Sequence, residues 1–472
     1  MTSEPAAAPA AATRSFIGDL RTVLASPGFR KLFATRLISQ TGDGMFTAGL
    51  GTYVFFNAST YPNPASGAAA FAALYLPYSL IGPFAGVFID RWSRRQILVW
   101  SAVLRAAFVA LAATLVGAGV RGLPLYAASL LVLGVNRFFL SSLSAALPHV
   151  VPEHELMMAN GVSPTAGGIM SAVGGFIALG VRALSGGGVL VSALTLAAAG
   201  GCYLLAGAVG TTMHRDLLGP TRDPAGIRAG GRAEIAEIAA AISSVAAGLV
   251  AGLRYLLRRR SPTAAISAIG ASKFLYGILL LMAILLFRNY FYPASANTAL
   301  AHFTTLIFLP GAIGYGLAGL IAPSVTERLS KQAWIAIALA SAGILTGALG
   351  STFAQIEFMV VAFGVNLASQ SVAISAVTIV QEEVADNYRG RVFALYDMMS
   401  NVPFVLGAAL SVIFMPLNGK SYPIVIAIGA GYVAAAGCYW AVVGRSSTGS
   451  SGEAGGTDGA ATPSSSAQAR NS

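Results

Sequence analysis

GPFAGVFIDRWSRRQ (Gly82–Gln96) and GLIAPSVTERLSKQ (Gly319–Gln332) are two versions of one pattern. Each follows a strongly apolar stretch. Each sets an acid, an arginine, a serine and a further base at the point where apolar sequence stops. Asp90, Arg91, Arg94 and Arg95 form the first cluster, and Glu327, Arg328 and Lys331 the second. A charged cluster that recurs at corresponding ends of apolar segments, more than two hundred residues apart, implies a duplicated helical bundle.

Composition agrees with a chain that lives in lipid. Of 472 residues, 56% are apolar and only 10% charged, and the mean hydropathy is +0.71. A soluble domain carries roughly 25% charged residues, so this chain cannot cover a water-facing globule. The formal charge of +11 fits basic loops on one side of a membrane. No basic run is interleaved with exposed aromatics, which excludes a nucleic-acid partner. Cys202 and Cys438 both lie inside apolar segments, so neither a disulfide framework nor a thiolate metal site is expected.

A helix needs about 20 apolar residues to cross the hydrocarbon layer. Twelve segments qualify, at about 32–56, 68–89, 97–118, 123–147, 162–181, 188–210, 264–287, 299–323, 333–352, 357–380, 392–415 and 422–443. The expected fold is therefore an all-α membrane protein with two pseudo-symmetric six-helix bundles. The expected organisation is a cytoplasmic segment over 1–30, a first bundle over 31–212, a linker over 213–262, a second bundle over 263–445 and a disordered tail over 446–472. Outer loops hold only Arg121, Arg182, Arg288 and Lys420, and four more bases lie within spans. The remaining 21 of 29 basic residues sit on the other side. The bias predicts a multi-pass protein of the cell membrane with both termini cytoplasmic.

Residues 233–258 are long enough to span. Yet Ile235, Ile238, Ile242, Val245, Leu249, Leu253 and Leu256 share one face, and both ends are charged. That pattern predicts an amphipathic helix on the cytoplasmic surface, joining the bundles. Short matches support the duplication: Tyr61-Pro62 with Tyr292-Pro293, Leu76-Pro77 with Leu309-Pro310, Gly134-Val135-Asn136 with Gly364-Val365-Asn366, and Gly201-Cys202-Tyr203 with Gly437-Cys438-Tyr439.

GVFIDRWSRR (Gly86–Arg95) resembles the loop signature of the major facilitator superfamily, Gly-x-x-x-Asp-Arg-x-Gly-Arg-Arg/Lys. Gly86, Asp90, Arg91, Arg94 and Arg95 fit it, while Ser93 stands where glycine is usual. SQTGDGMF (Ser39–Phe46) and VPEHELMMANG (Val151–Gly161) look like the branch that exports drugs, macrolides and siderophores. The fifth span holds Pro164, Gly167-Gly168 and Gly174-Gly175 but lacks the Gly-Pro pair of the family's antiporter signature. The resemblance implies a major facilitator fold, paired six-helix halves that rock, and proton-coupled efflux of small amphipathic molecules by a monomer without a cofactor. Uptake or lipid translocation by the same fold, and a transporter-like sensor that carries nothing, remain open.

Asp90 stands where a span meets the cytoplasm and can accept from a helix N-terminus. Arg91, Arg94 and Arg95 can bridge carboxylates of the other half, with Asp397, Glu382, Glu383 and Asp386 as partners, and so latch the inner side. A basic loop that only sets topology is the plainer alternative. Inside the membrane, a charge costs about 2.5–3.5 kcal/mol on insertion scales. Arg36, Gln40, Asp43 and Thr47 follow i, i+4, i+7, i+11 spacing and make one polar stripe along the first span. At about 1.5 Å per residue, Asp43 lies roughly 17 Å from the cytoplasmic end, and Arg105, Arg137 and Lys273 roughly 12–15 Å. A shared polar cluster around a wet cavity is expected. Asp43 is the expected carrier of the coupling proton, with a permanently paired structural carboxylate as the alternative. Overlaying the Tyr-Pro pairs brings Asp43 within two residues of Lys273. Asn136 and Asn366 occupy matching places and serve substrate contact or helix packing. No metal-ligand spacing or nucleophile elbow appears, so no enzyme chemistry is expected.

Overall fold

The computed structural model describes residues 24–56, 63–80, 93–152, 156–214, 217–218, 232–326 and 328–449. Among these the chain is all helical. The first half comprises α1 (Pro27–Phe55), α2 (Pro64–Leu80), α3 (Arg94–Gly117), α4 (Leu123–Ala146), α5 (Leu156–Leu184) and α6 (Val189–Thr211). A connecting helix, α7 (Arg232–Leu257), leads to the second half. There α8 (Arg260–Leu285) ends in a π-helical turn, Leu286–Phe291. Next comes α9, a segment of Ala296–Phe303, a π turn Thr304–Phe308 and Leu309–Thr326. α10 (Lys331–Ala348), α11 (Gln355–Glu383), α12 (Asp386–Phe414) and α13 (Tyr422–Gly449) complete it.

Ten of these helices are long and apolar enough to cross a membrane. α1 has the length, with 29 residues, but its polar stripe lowers its hydropathy, and the described part of α2 is short. With these two, the layout has twelve spans. Local sequence sets the helix starts. Ser26, Ser295 and Ser330 accept from the backbone N–H three residues on, at 3.3, 3.2 and 3.1 Å, as N-cap residues do.

The duplication extends to packing. In the first half α1 packs on α5 and α6, α3 on α4 and α6, and α2 on α4. In the second, α8 packs on α12 and α13, α10 on α11 and α13, and α9 on α11. The pairs correspond one for one. The tightest crossings show why. A Cβ on Gly44 would overlap the Ser171 carbonyl, and one on Gly174 the Thr41 carbonyl. In the second half Gly277 meets the Phe404 carbonyl and Gly407 the Phe274 carbonyl in the same way. Each second-half glycine lies 233 positions after its counterpart. In lipid, where apolar burial does not drive helices together, such backbone approach is a main source of attraction.

α7 docks on the second half. Tyr255 stacks on Tyr388 with centroids 4.2 Å apart, and Leu256 is buried with Ile266, Val380 and Val392. The halves meet mainly along α2 and α12, where Phe404 contacts the rings of Phe71 at 5.0 Å and Tyr75 at 4.6 Å. Cys202 and Cys438 are free thiols.

Overpacking a closed interface costs about 1–3 kcal/mol or more. Gly44→Val and Gly277→Val should each lower the unfolding temperature in detergent and broaden the size-exclusion peak. Gly51→Ala, whose Cβ meets nothing within 4 Å, should leave both unchanged.

Candidate functional site

The polar stripe of α1 meets α3, α4 and α6 at one buried point. Arg105 of α3 forms an ion pair with Asp43. The Tyr203 hydroxyl of α6 donates to the same carboxylate at 2.9 Å, and Asn136 of α4 donates from Nδ2 at 3.3 Å. Arg105 also donates to Ser39 Oγ at 2.8 Å. Its guanidinium carbon stands 3.6 Å from the centroid of the Tyr203 ring and 5.3 Å from that of Phe139. The Arg105 side chain is fully buried and that of Asp43 nearly so. All these groups belong to the first half. Removing one partner of such a pair strands a buried charge, at about 3–5 kcal/mol.

Two turns nearer the N-terminal end of α1, Arg36 donates from Nε to Gln40 Oε1 at 3.2 Å and from Nη1 to Ser163 Oγ at 3.3 Å. In the second half the Tyr276 hydroxyl donates to Asn366 Oδ1 at 3.2 Å, and Asn366 Nδ2 donates to the Ala362 carbonyl at 2.8 Å. Lys273 lies beside them, its Nζ 5.8 Å from the Tyr276 ring centroid, with no described carboxylate within 4 Å.

The glycine crossings fix the register between halves. By that 233-residue offset the counterpart of Asp43 is Tyr276, and Lys273 answers Gln40. Contacts agree: Asn136 holds Asp43 as Asn366 holds Tyr276. Tyr432 of α13 donates to the Ser272 carbonyl of α8 at 3.1 Å, as Tyr203 of α6 donates to Asp43 of α1.

Among the described residues one ion pair joins the halves. Arg137 Nη2 of α4 lies 2.9 Å from Asp397 Oδ2 of α12, with side chains 24% and 46% exposed. Solvated pairs of this kind contribute about 0–1 kcal/mol, far less than the buried cluster. Arg94 and Arg95, expected to reach the other half, bind within their own. Arg94 donates to the Leu218 carbonyl at 3.1 Å and touches His149, and Arg95 donates to the Thr211 carbonyl at 2.7 Å. Lys331 pairs with Glu382 at 2.6 Å, joining α10 to α11. Glu383 accepts from Ser261 at 2.7 Å. Arg328 is exposed. Gly86, Asp90, Arg91 and Glu327 lie outside the described residues.

Sequence reasoning missed Tyr203 and Ser39, though Tyr203 stood in a repeat match. It also missed the outer contacts. Arg182, counted only as a loop charge, donates from Nη2 to the Phe56 carbonyl at 2.7 Å and to Asn297 Oδ1 of α9 at 3.2 Å. Asn297 Nδ2 returns a bond to the Gly186 carbonyl at 2.5 Å. Phe56 and Phe303 close beside them, with centroids 5.4 Å apart. Beneath lies a largely apolar cavity of about 310 Å³ between α1, α5, α8 and α9, where Thr47 extends the α1 stripe.

The same arrangement of helices occurs in solved transporters. The pattern of the Major Facilitator Superfamily matches residues 32–408. The chain belongs to that superfamily. It is 32% identical over 425 residues to an uncharacterized MFS-type transporter of Mycobacterium tuberculosis, covering 90% of this chain and 93% of the relative. The Mycobacterium bovis counterpart matches equally. The nucleoside transporter NupG shares the fold at TM-score 0.61 and 18% identity, covering 88% of this chain and 98% of that one. A peptide transporter POT in complex with sulfate does so at 0.62 and 13%, covering 90% and 98%. A bacterial homologue of the human lysosomal transporter Spinster, inward-facing and unoccupied, does so at 0.60 and 14%, covering 88% and 96%. The protein is thus a multi-pass membrane transporter of small molecules and not an enzyme.

Asp43→Asn and Arg105→Met should each destabilise the detergent-solubilised protein by about 3–5 kcal/mol. The Asp43→Asn/Arg105→Met double variant should recover part of that loss, because no lone buried charge remains. Thermal unfolding followed by intrinsic fluorescence reads both.

Proposed function

We propose that this chain exports small amphipathic molecules in exchange for protons, by rocking of its two halves. It acts as a monomer in the cell membrane, with both termini in the cytoplasm. The observation that carries the reading is the contrast between its two intramembrane carboxylates. Asp43 is held by Arg105, Tyr203 and Asn136, all of one half, so rigid-body rocking leaves its partners in place. Asp397 is held by Arg137 of the opposite half and is half exposed. Separating the halves frees this carboxylate from its cation, and a proton can take the cation's place. The swap of environments expected at Asp43 is therefore assigned to Asp397, and Asp43 becomes the pin of the first half. Arg137 and Asp397 are the working gate, and a bond worth under about 1 kcal/mol suits a latch that opens on every cycle. Arg94 and Arg95 brace the inner end of the first half, and Lys331 that of the second. Uptake would use the same parts in reverse, whereas a sensor would bind and carry nothing.

In proteoliposomes with a fluorescent single-chain amphiphile as substrate, Asp397→Asn should abolish the effect of an imposed pH gradient on flux. Counterflow between equal pH should survive within about threefold. Full gradient-driven transport by Asp397→Asn would remove it as the coupling group. Binding without flux in the unaltered protein would favour a sensor.

A further inference from the structure

The two seams between the halves differ. Along one, α2 packs on α12. Along the other, α5 packs on α1 and α9 on α11, while α5 and α9 reach each other through Phe176 and Phe308, with centroids 6.0 Å apart, and through Arg182 and Asn297. α5 and α9 turn apolar side chains outward, with Ile169 59% and Ile313 54% exposed. Between their outer ends lies a cavity of about 630 Å³, lined by Phe176, Leu179, Arg182, Asn297, Leu300 and Thr304. Leu179, Leu300 and Thr304 also line the 310 Å³ central cavity. The two spaces are neighbours that share these walls, set along a path from the outer ends of α5 and α9 to the space between the halves.

Arg182 closes the outer end of this path. Its side chain is 6% exposed and lines the larger cavity. Nη1 and Nη2 are engaged, by Ser192, Phe56 and Asn297, but among the described residues the buried Nε–H has no acceptor and no carboxylate lies within 4 Å. A buried cation without a counter-ion is costly, and a buried donor without an acceptor adds about 1–3 kcal/mol. An anion supplies both. The outer connections add Arg121, Arg288 and Lys420 against one acid, Glu357, so the surrounding field favours negative headgroups.

We infer that the gap between α5 and α9 is a lateral portal that exchanges anionic, single-chain amphiphiles with the bilayer, on the side where an exporter releases its substrate. The phosphate or carboxylate accepts from Arg182 Nε, and the chain lies in the cavity past Phe176 and Leu179. The site rests on the transport reading and gives it a substrate class. Arg182 stands in the last turn of α5, at the level of the headgroups, and the apolar walls at Phe176, Leu179 and Leu300 beside it select an acyl-bearing ligand over a free anion.

The test uses the full chain in phosphatidylcholine nanodiscs, titrated with lysophosphatidylglycerol, lysophosphatidylcholine and inorganic phosphate, with intrinsic fluorescence as readout. The anionic lysolipid should bind at least tenfold tighter than the zwitterionic one, and phosphate should show no saturable binding in that range. Arg182→Gln should erase the headgroup preference and Arg182→Lys retain it. Gly180→Phe should weaken both lysolipids at least tenfold, since Gly180 lines the cavity and its Cβ meets nothing within 4 Å. Equal affinity for the two headgroups, or a preference that survives Arg182→Gln, would overturn the assignment. So would unaltered binding by Gly180→Phe, which settles the matter even where Arg182→Gln fails to fold. Phosphate binding as tightly as the anionic lysolipid would assign the pocket to a free anion instead. Binding needs no gradient and no turnover, so failure here is distinct from failure of gradient-driven flux.

Discussion

Charge inside hydrocarbon has to be answered at short range, and the molecule is organised around the few places where it is. Asp43 and Asp397 each find an arginine, yet the two pairs do opposite work. The Asp43 pair is sealed by four helices and a tyrosine ring, which makes the first half one rigid piece. The Asp397 pair sits in solvated space and spans the division between halves. A rigid half is useful only if its attachment to the other half is weak, and the energies of the two pairs are ranked accordingly.

Much of the fold was legible because lipid imposes strong patterns. Twelve apolar runs, an excess of bases on one side and two related charged loops suffice to suggest paired six-helix bundles. Register was less legible. Short sequence matches pointed at Lys273 as the counterpart of Asp43 and at Tyr439 as that of Tyr203. Backbone contact between Gly44 and Ser171, repeated at Gly277 and Phe404, shifts the first of these to Tyr276. Insertions of a few residues slide sequence matches, but they cannot slide a crossing that only glycine permits.

The candidate site was legible by residue type and not by partner. The α1 stripe foretold that Asp43 would face other polar groups. It carried no information on whether these belonged to the same half. That distinction depends on three-dimensional assignment: Arg105 lies in α3, beside α6, and Arg137 in α4, facing α12. Arg94 and Arg95 illustrate the same gap. Their bonds go to the backbone carbonyls of Leu218 and Thr211, acceptors that every residue carries and no motif advertises.

The uneven seams bear on how affinity is to be understood. Ligand exchanging between α5 and α9 equilibrates with a reservoir already enriched by partitioning, at about 0.8 kcal/mol per methylene. Occupancy of the cavity then follows concentration in the membrane. Two amphiphiles with identical contacts in the protein would differ in apparent aqueous affinity by their chain lengths alone, and a dissociation constant quoted per litre of water would describe the bilayer as much as the transporter.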